Sequence, residues 1–192
     1  MERRIGIYSG TFDPVHPGHI AFAAEAMRAC DLDEVVFLPE RTPRNKQNVT
    51  GMLHRVALLK KVTKTMQNMS VVTLASDQFT VEETLPELRN IYSGAQLTLL
   101  IGSDVARTFP YHWQGMDVLL AEVSLAVGIR TGDNPDEITV LMGELEREYD
   151  VPIRYTCITA PEADLTSSQI RNGVVDSSRL HPAILDYVQD HR

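Results

Sequence analysis

The chain has 192 residues, 43% of them hydrophobic and 23% charged, a length near one domain that can bury about 70% of the surface its unfolded form exposes. No apolar run approaches the roughly 20 residues that cross a bilayer, and 18 basic against 26 acidic residues leave a net charge of −8, which disfavours nonspecific attraction to nucleic acid or an anionic membrane. Cys30 and Cys157 lie far apart outside any C-x-x-C pattern, and Met1-Glu2-Arg3-Arg4 lacks the apolar core of a signal peptide, so reduced thiols and a cytoplasmic setting are expected.

Along the chain, short apolar runs alternate with longer segments of helical periodicity. Residues 5–8 read as a strand, followed by the stretch Gly10-Thr11-Phe12-Asp13-Pro14-Val15-His16-Pro17-Gly18-His19 and a helix over 18–29. A second strand over 35–38 leads through Thr42-Pro43-Arg44-Asn45-Lys46 into a helix over 52–69, and a third strand follows over 71–75. The next helix, over 85–92, has Thr84, Pro86 and Glu87 placed as N-cap, first-turn residue and N3 of a capping box. Strands over 97–101, 123–128 and 153–158 complete the pattern, with a connecting loop over 130–136 and a helix over 136–149 between the last two. Thr166 and Gln169 repeat the capping box at the head of a small helical C-terminal part, about 165–192. Such alternation implies parallel βαβ units with right-handed crossovers, helices on both sheet faces and a ligand site beyond the carboxyl ends of the strands.

The stretch from Gly10 to His19 carries the strongest chemical signal. Gly10 lets the backbone approach a ligand closely, and Pro17 suits the first turn of a helix, where its missing N–H costs nothing. His16 and His19 then lie three residues apart beside exposed N–H groups and the positive end of the macrodipole, which is a seat for phosphate. Two plainer readings compete. One is a turn with solvated histidines; the other is a metal site of Asp13, His16 and His19, against which stands the usual i, i+4 spacing of zinc-binding helix pairs.

This decapeptide resembles the GxFxPxHxGH signature of the nucleotidyltransferase superfamily. Further segments resemble nicotinate mononucleotide adenylyltransferases: Ile101-Gly102-Ser103-Asp104 with Phe109-Pro110-Tyr111-His112-Trp113 is similar to their IGxD…LPxW. Leu165-Thr166-Ser167-Ser168-Gln169-Ile170-Arg171 is similar to their ISSTxIR, and Leu180-His181-Pro182 with Tyr187-Val188 to their closing V-P…Y-I. The chain departs from the pattern in its second loop, which keeps Lys46 of the family's PPHK but lacks the histidine. It departs again at Phe79-Thr80-Val81-Glu82-Glu83-Thr84-Leu85, one residue longer than the family's YTxDTL, and the interval from Phe109 to Trp113 is similarly extended.

The resemblance implies one nucleotidyltransferase domain over 1–192, an α/β, Rossmann-like, doubly wound and mostly parallel sheet. It implies ATP-dependent adenylyl transfer to nicotinate mononucleotide, giving nicotinate adenine dinucleotide and pyrophosphate for NAD biosynthesis. Alternatives are a pantetheine-phosphate adenylyltransferase or another HxGH nucleotidyltransferase, and a nucleotide-binding regulatory protein that has lost turnover. On this reading His16, His19, Lys46 and Arg171 are catalytic, and Gly10, Thr11, Phe12, Gly18, Gly102, Asp104, Ser167, Ser168 and Arg171 bind ATP. Asp13, Lys46, Phe79, Thr80, Thr84 and Trp113 bind the mononucleotide. Asp104 reads equally as a helix cap, Trp113 as core, and Arg55 as a surface salt-bridge residue. Backbone N–H groups of Phe79-Thr80 meet the pyridine carboxylate, which predicts an acid-over-amide preference of about 10- to 100-fold. Mg2+ is expected mainly on substrate phosphates and water, with no metal site of the protein's own. The partners are the two nucleotides, without nucleic acid or membrane, and a homo-oligomer is left open.

Overall fold

The computed structural model describes residues 2–43, 48–111 and 113–190. Among them, six strands form one all-parallel sheet in the order β3-β2-β1-β4-β5-β6. The strands are β1 (Arg4–Gly10), β2 (Glu34–Pro39), β3 (Met69–Val71), β4 (Gln96–Gly102), β5 (Ser124–Ile129) and β6 (Tyr155–Thr159). β1 pairs with β2 on one side, Gly10 opposite Pro39, and with β4 on the other, Tyr8 opposite Leu100. The chain reverses its winding between those neighbours, which is the point where doubly wound sheets open a crevice.

Both faces are covered, which is why the strands read as nearly unbroken apolar runs. Alternate residues divide between two cores. Val36, Leu38, Leu97, Leu99, Leu125 and Val127 face α3 (Val81–Ile91), α5 (Met116–Glu122) and α6 (Pro135–Tyr149). Val35, Phe37, Leu100, Ala126 and Ile158 face α1 (Pro17–Ala29), α2 (Met52–Thr63), α7 (Ser167–Arg171) and α8 (Pro182–Asp190). The one-turn helix α4 (Ser103–Ala106) leaves the end of β4 directly. No helix among the described residues is long and apolar enough to cross a membrane.

Three boundaries differ from the sequence expectation. The helix expected over 52–69 ends at Thr63; the chain then turns, with Met66 N–H on the Thr63 carbonyl at 2.8 Å and Asn68 at a positive φ of 60°, so that Val35 N–H reaches the Asn68 carbonyl at 2.9 Å. The third strand is consequently earlier and shorter, three residues in register with Val35–Phe37. Helix α3 begins at Val81, with Thr80 as N-cap accepting the Glu83 N–H at 3.3 Å, so the capping pair is Thr80 and Glu83 in place of Thr84 and Glu87. Pro86 therefore lies inside the helix, where it forgoes the bond to the Glu82 carbonyl. Helix α5 was not expected; its seven residues, between Gly115 at φ 76° and β5, are too few to show helical periodicity.

Candidate active site

A cavity of about 550 Å3 opens at the carboxyl rim, and segments distant in sequence line it: Thr11, Asp13, His16, Gly18 and His19 after β1, Gly102 and Asp104 after β4, Arg130 after β5, and Thr166, Ser167, Ser168 and Arg171 at α7. The size is ordinary for a small-molecule site. α1 points its N-terminus at this space with Pro17 at N1, so its first N–H groups are unbonded within the helix and favour an anion.

The two histidines differ in environment and in the atoms they present. The His16 N–H donates to His19 Nδ1 at 3.2 Å, so the proton of a neutral His19 resides on Nε2. The imidazoles lie against each other with ring centroids 3.6 Å apart, and the His19 ring is also held edge-on by Phe12 at 5.1 Å. His16 is only 6% exposed, and its Nδ1 is buried with no partner among the described residues. Burial, with Arg130 adding repulsion, pushes its pKa down to about 4, so at neutral pH it acts as an uncharged hydrogen-bonding group. Positive charge in the cavity comes instead from Arg130 and Arg171. Arg130 Nη2 bonds Asp104 Oδ2 at 3.1 Å; Arg171 Nη1 donates to the Asp13 carbonyl and Nη2 to Ser168 Oγ at 3.2 Å.

Helix α7 keeps the expected capping box, with Gln169 N–H on Thr166 Oγ1 at 3.2 Å and Thr166 N–H on Gln169 Oε1 at 2.7 Å. Ser167 Oγ donates to the Pro14 carbonyl at 2.9 Å, which ties this helix to the loop ahead of His16. Gly18 has a structural as well as a ligand-facing reason: a Cβ there would stand 2.6 Å from the Glu162 carbonyl oxygen. Asp104 is the second residue of α4, whose N-cap is Gly102, so it is not the cap; its carboxylate is half-exposed on Arg130.

Several assignments need correction. Gly10 does not line the cavity; it closes the β1–β2 pairing, and a Cβ on it would press on the Phe12 ring. Phe12 is core, packed with Tyr8, Phe37 and His19, and supports the histidine from behind. Asp13 is 3% exposed, its carboxylate accepting from Thr50 N–H at 3.1 Å and Tyr187 Oη at 3.0 Å. Burial pushes Tyr187 up to about 12, so that hydroxyl stays protonated and donates. Asp13 thus fastens α8 and the segment before α2 to the first loop while still bordering the cavity. The same bonds turn its carboxylate away from a metal role, and among the described residues no three His, Cys, Asp or Glu side chains form a ligand set.

The residues expected to hold the pyridine ring stand on the other side of β1. Thr84 is 0% exposed, with Oγ1 accepting the Thr80 N–H at 3.0 Å and donating to the Gln78 carbonyl. The Phe79 N–H donates to Glu40 Oε1 at 3.3 Å, so both backbone N–H groups assigned to the nicotinate carboxylate meet protein acceptors. Trp113 is half-buried on the core with Phe109 edge-on at 5.2 Å and does not line the cavity. Lys46 and its neighbour Arg44 lie outside the described residues.

Two residues of the site were missed in the sequence. Arg130 was read as part of a connecting loop, yet it directly follows β5, and the position after a parallel strand falls on the rim. Arg55, read as a surface residue, is 1% exposed. Its guanidinium donates to the carbonyls of Thr50 at 2.8 Å, Thr11 at 2.5 Å, Glu40 at 2.8 Å and Arg41 at 3.3 Å. One buried cation thereby joins three loops, with Asp13 nearby opposing the fall in its pKa on burial. The signal was available: Leu58, Leu59 and Val62 form the buried stripe of α2, and Arg55 lies one turn earlier on the same face.

The family model described as Cytidylyltransferase-like matches residues 7–173. A protein of Gemmatimonas aurantiaca named probable nicotinate-nucleotide adenylyltransferase is 30% identical over 96% of this chain and 87% of its own length. A Neisseria meningitidis protein of the same name is 29% identical over 98% and 97%. Among solved structures, the Plasmodium falciparum nicotinic acid mononucleotide adenylyltransferase complexed with NaAD superposes with a TM-score of 0.75 over 99% of this chain and 96% of that one, a likeness of fold at 17% identity. With the all-parallel sheet, the rim cavity and the paired histidines already in place, these matches show that the chain belongs to the cytidylyltransferase-like family and, within it, to the nicotinate-nucleotide adenylyltransferases.

Proposed function

We propose that the protein, working as one domain, transfers the AMP part of ATP to nicotinate mononucleotide, forming nicotinate adenine dinucleotide and releasing pyrophosphate. The observation that carries this reading is the large rim cavity on which the α1 N-terminus, His16, His19, Arg130, Arg171 and the α7 hydroxyls converge.

A phosphate monoester is already largely ionised at neutral pH, so it attacks the α-phosphorus without a protein base. The new P–O bond forms as the bond to the β-phosphate breaks, and the electron pair leaves with pyrophosphate. The protein's part is positioning and stabilisation of charge. His19 Nε2–H donates to phosphate oxygen because Nδ1 already accepts from the backbone. His16 adds an uncharged contact, while Arg130 and Arg171 supply the cations, and Ser167 and Ser168 border the same space. Asp104, just past the end of β4 and bordering the cavity, is assigned to the ribose hydroxyls. Lys46, which matches the family's PPHK lysine in the sequence, is assigned a further cationic contact to phosphate. A divalent cation such as Mg2+ would enter with the triphosphate and would offset charge on the leaving group; the cavity's imidazole, hydroxyl and guanidinium groups suit the phosphates themselves.

Pyrophosphate release with ATP and each of nicotinate mononucleotide, nicotinamide mononucleotide and phosphopantetheine tests the assignment. Turnover highest with phosphopantetheine rejects the substrate class, and turnover with none rejects adenylyl transfer.

A further inference from the structure

A second, smaller depression lies at the carboxyl ends of β1 and β2 and the start of α3, bordered by Ser9, Glu40, Gln78, Phe79 and Thr84. In a sheet of this order, the two parts of a dinucleotide lie on the two halves flanking the β1–β4 switch. The large cavity runs from the loop after β1 across the ends of β4, β5 and β6, which leaves the β2 side of the rim, and this depression, for the pyridine end of the mononucleotide.

At that end stands a carboxylate belonging to the protein. Glu40 Oε1 accepts the Phe79 N–H at 3.3 Å, just ahead of an eleven-residue helix, and lies 3.5 Å from Ser9 Oγ. The Thr80 N–H is meanwhile held by Thr84. The Glu40 backbone is pinned on both sides, its N–H to the Gly10 carbonyl at 2.9 Å and its carbonyl to Arg55 at 2.8 Å, so its side chain is directed here by the scaffold. The depression holds only about 10 Å3, space for about one water, and a pyridine ring enters only as a side chain yields.

We infer that Glu40 is a specificity-determining residue of the mononucleotide half, disfavouring a pyridine carboxylate and favouring a pyridine carboxamide. A nicotinate carboxylate must compete with Glu40 for the Phe79 donor or sit beside a like charge, whereas a carboxamide brings an N–H2 that donates to Glu40. The acid-over-amide preference is accordingly smaller than the loop donors alone would set. This inference rests on the adenylyl-transfer reading.

The test compares kcat/KM for nicotinate and nicotinamide mononucleotide, at saturating ATP, in the wild type, Glu40→Gln and Glu40→Ala, with an ATP-induced thermal shift confirming that each variant is folded. The acid-to-amide ratio is expected to rise about 10-fold or more in both variants, mainly through a lower KM for the acid, with the KM for ATP moved less than about twofold. A merely structural Glu40 lowers both rates together and leaves the ratio unmoved; a ratio within about twofold of wild type, or one that falls, overturns the inference. Should Glu40→Ala lose its ATP shift, the near-isosteric Glu40→Gln decides. Wild-type turnover with neither mononucleotide overturns the proposed function itself.

Discussion

Replacing His16 by Gln removes a group whose protonation the folded state resists, and the consequence for stability can be worked from its surroundings. Burial, aided by Arg130, takes its pKa from 6.5 to about 4. Between those values the unfolded chain binds more protons than the folded one, so stability falls as pH falls, the loss beginning near pH 6.5 and complete below pH 4. At 1.36 kcal/mol per pH unit the full effect is about 3 kcal/mol, and most of it has been lost by pH 4.5. The residue is nearly inaccessible to water, so solvent screening does not reduce this figure appreciably. Urea unfolding at pH 7.5 and 4.5 measures it: the wild type should lose about 2–3 kcal/mol more than His16→Gln over that interval, other titrating groups being common to both. Equal losses in the two proteins would refute the reasoning and place His16 in contact with solvent. Arg130→Ala offers an internal control, since removing the second cause should shrink the wild-type excess without abolishing it.

Other perturbations examine the remaining parts of the site. His19→Ala should lower kcat by roughly 100-fold or more with a smaller change in mononucleotide KM, as expected for a donor that acts chiefly in the transition state; near-normal turnover in a folded variant removes His19 from the chemistry. Arg55→Lys cannot span the carbonyls of Thr11, Glu40 and Thr50, and leaving buried acceptors unpaired should cost about 3 kcal/mol, read as a lower urea midpoint with unchanged slope. A midpoint shift below about 0.5 kcal/mol would show that water replaces the guanidinium without penalty. Chelation of divalent metal should abolish turnover while leaving the circular dichroism spectrum and Tm unchanged; unfolding on chelation would point to a structural metal in the chain.

The order of strands and helices was legible in the sequence because a parallel sheet covered on both faces demands apolar runs, and six such runs stood between helical segments. The motif positions were legible for a related reason: the chain leaves each parallel strand at the carboxyl rim, so His16 and His19 after β1, Gly102 and Asp104 after β4, and the capped start of α7 had to converge. Local signals also served where they were self-contained, as at Thr166 and Gln169, whose reciprocal bonds span three residues. What the sequence left undetermined concerned groups whose partners lie far along the chain. Asp13 meets Tyr187 across 174 positions and Arg55 meets Thr11 across 44; no local pattern distinguishes such an aspartate from a ligand, and the buried stripe of α2 marks the face of Arg55 without naming the carbonyls it meets. The state of His16 was equally hidden, because its pKa follows from the depth of burial beneath other segments and from Arg130, which arrives from the end of β5. Glu40 and Phe79 complete the contrast: a carboxylate and a backbone N–H separated by 39 positions share a hydrogen bond only because β2 and β3 pair in parallel and the chain leaves both at the same rim.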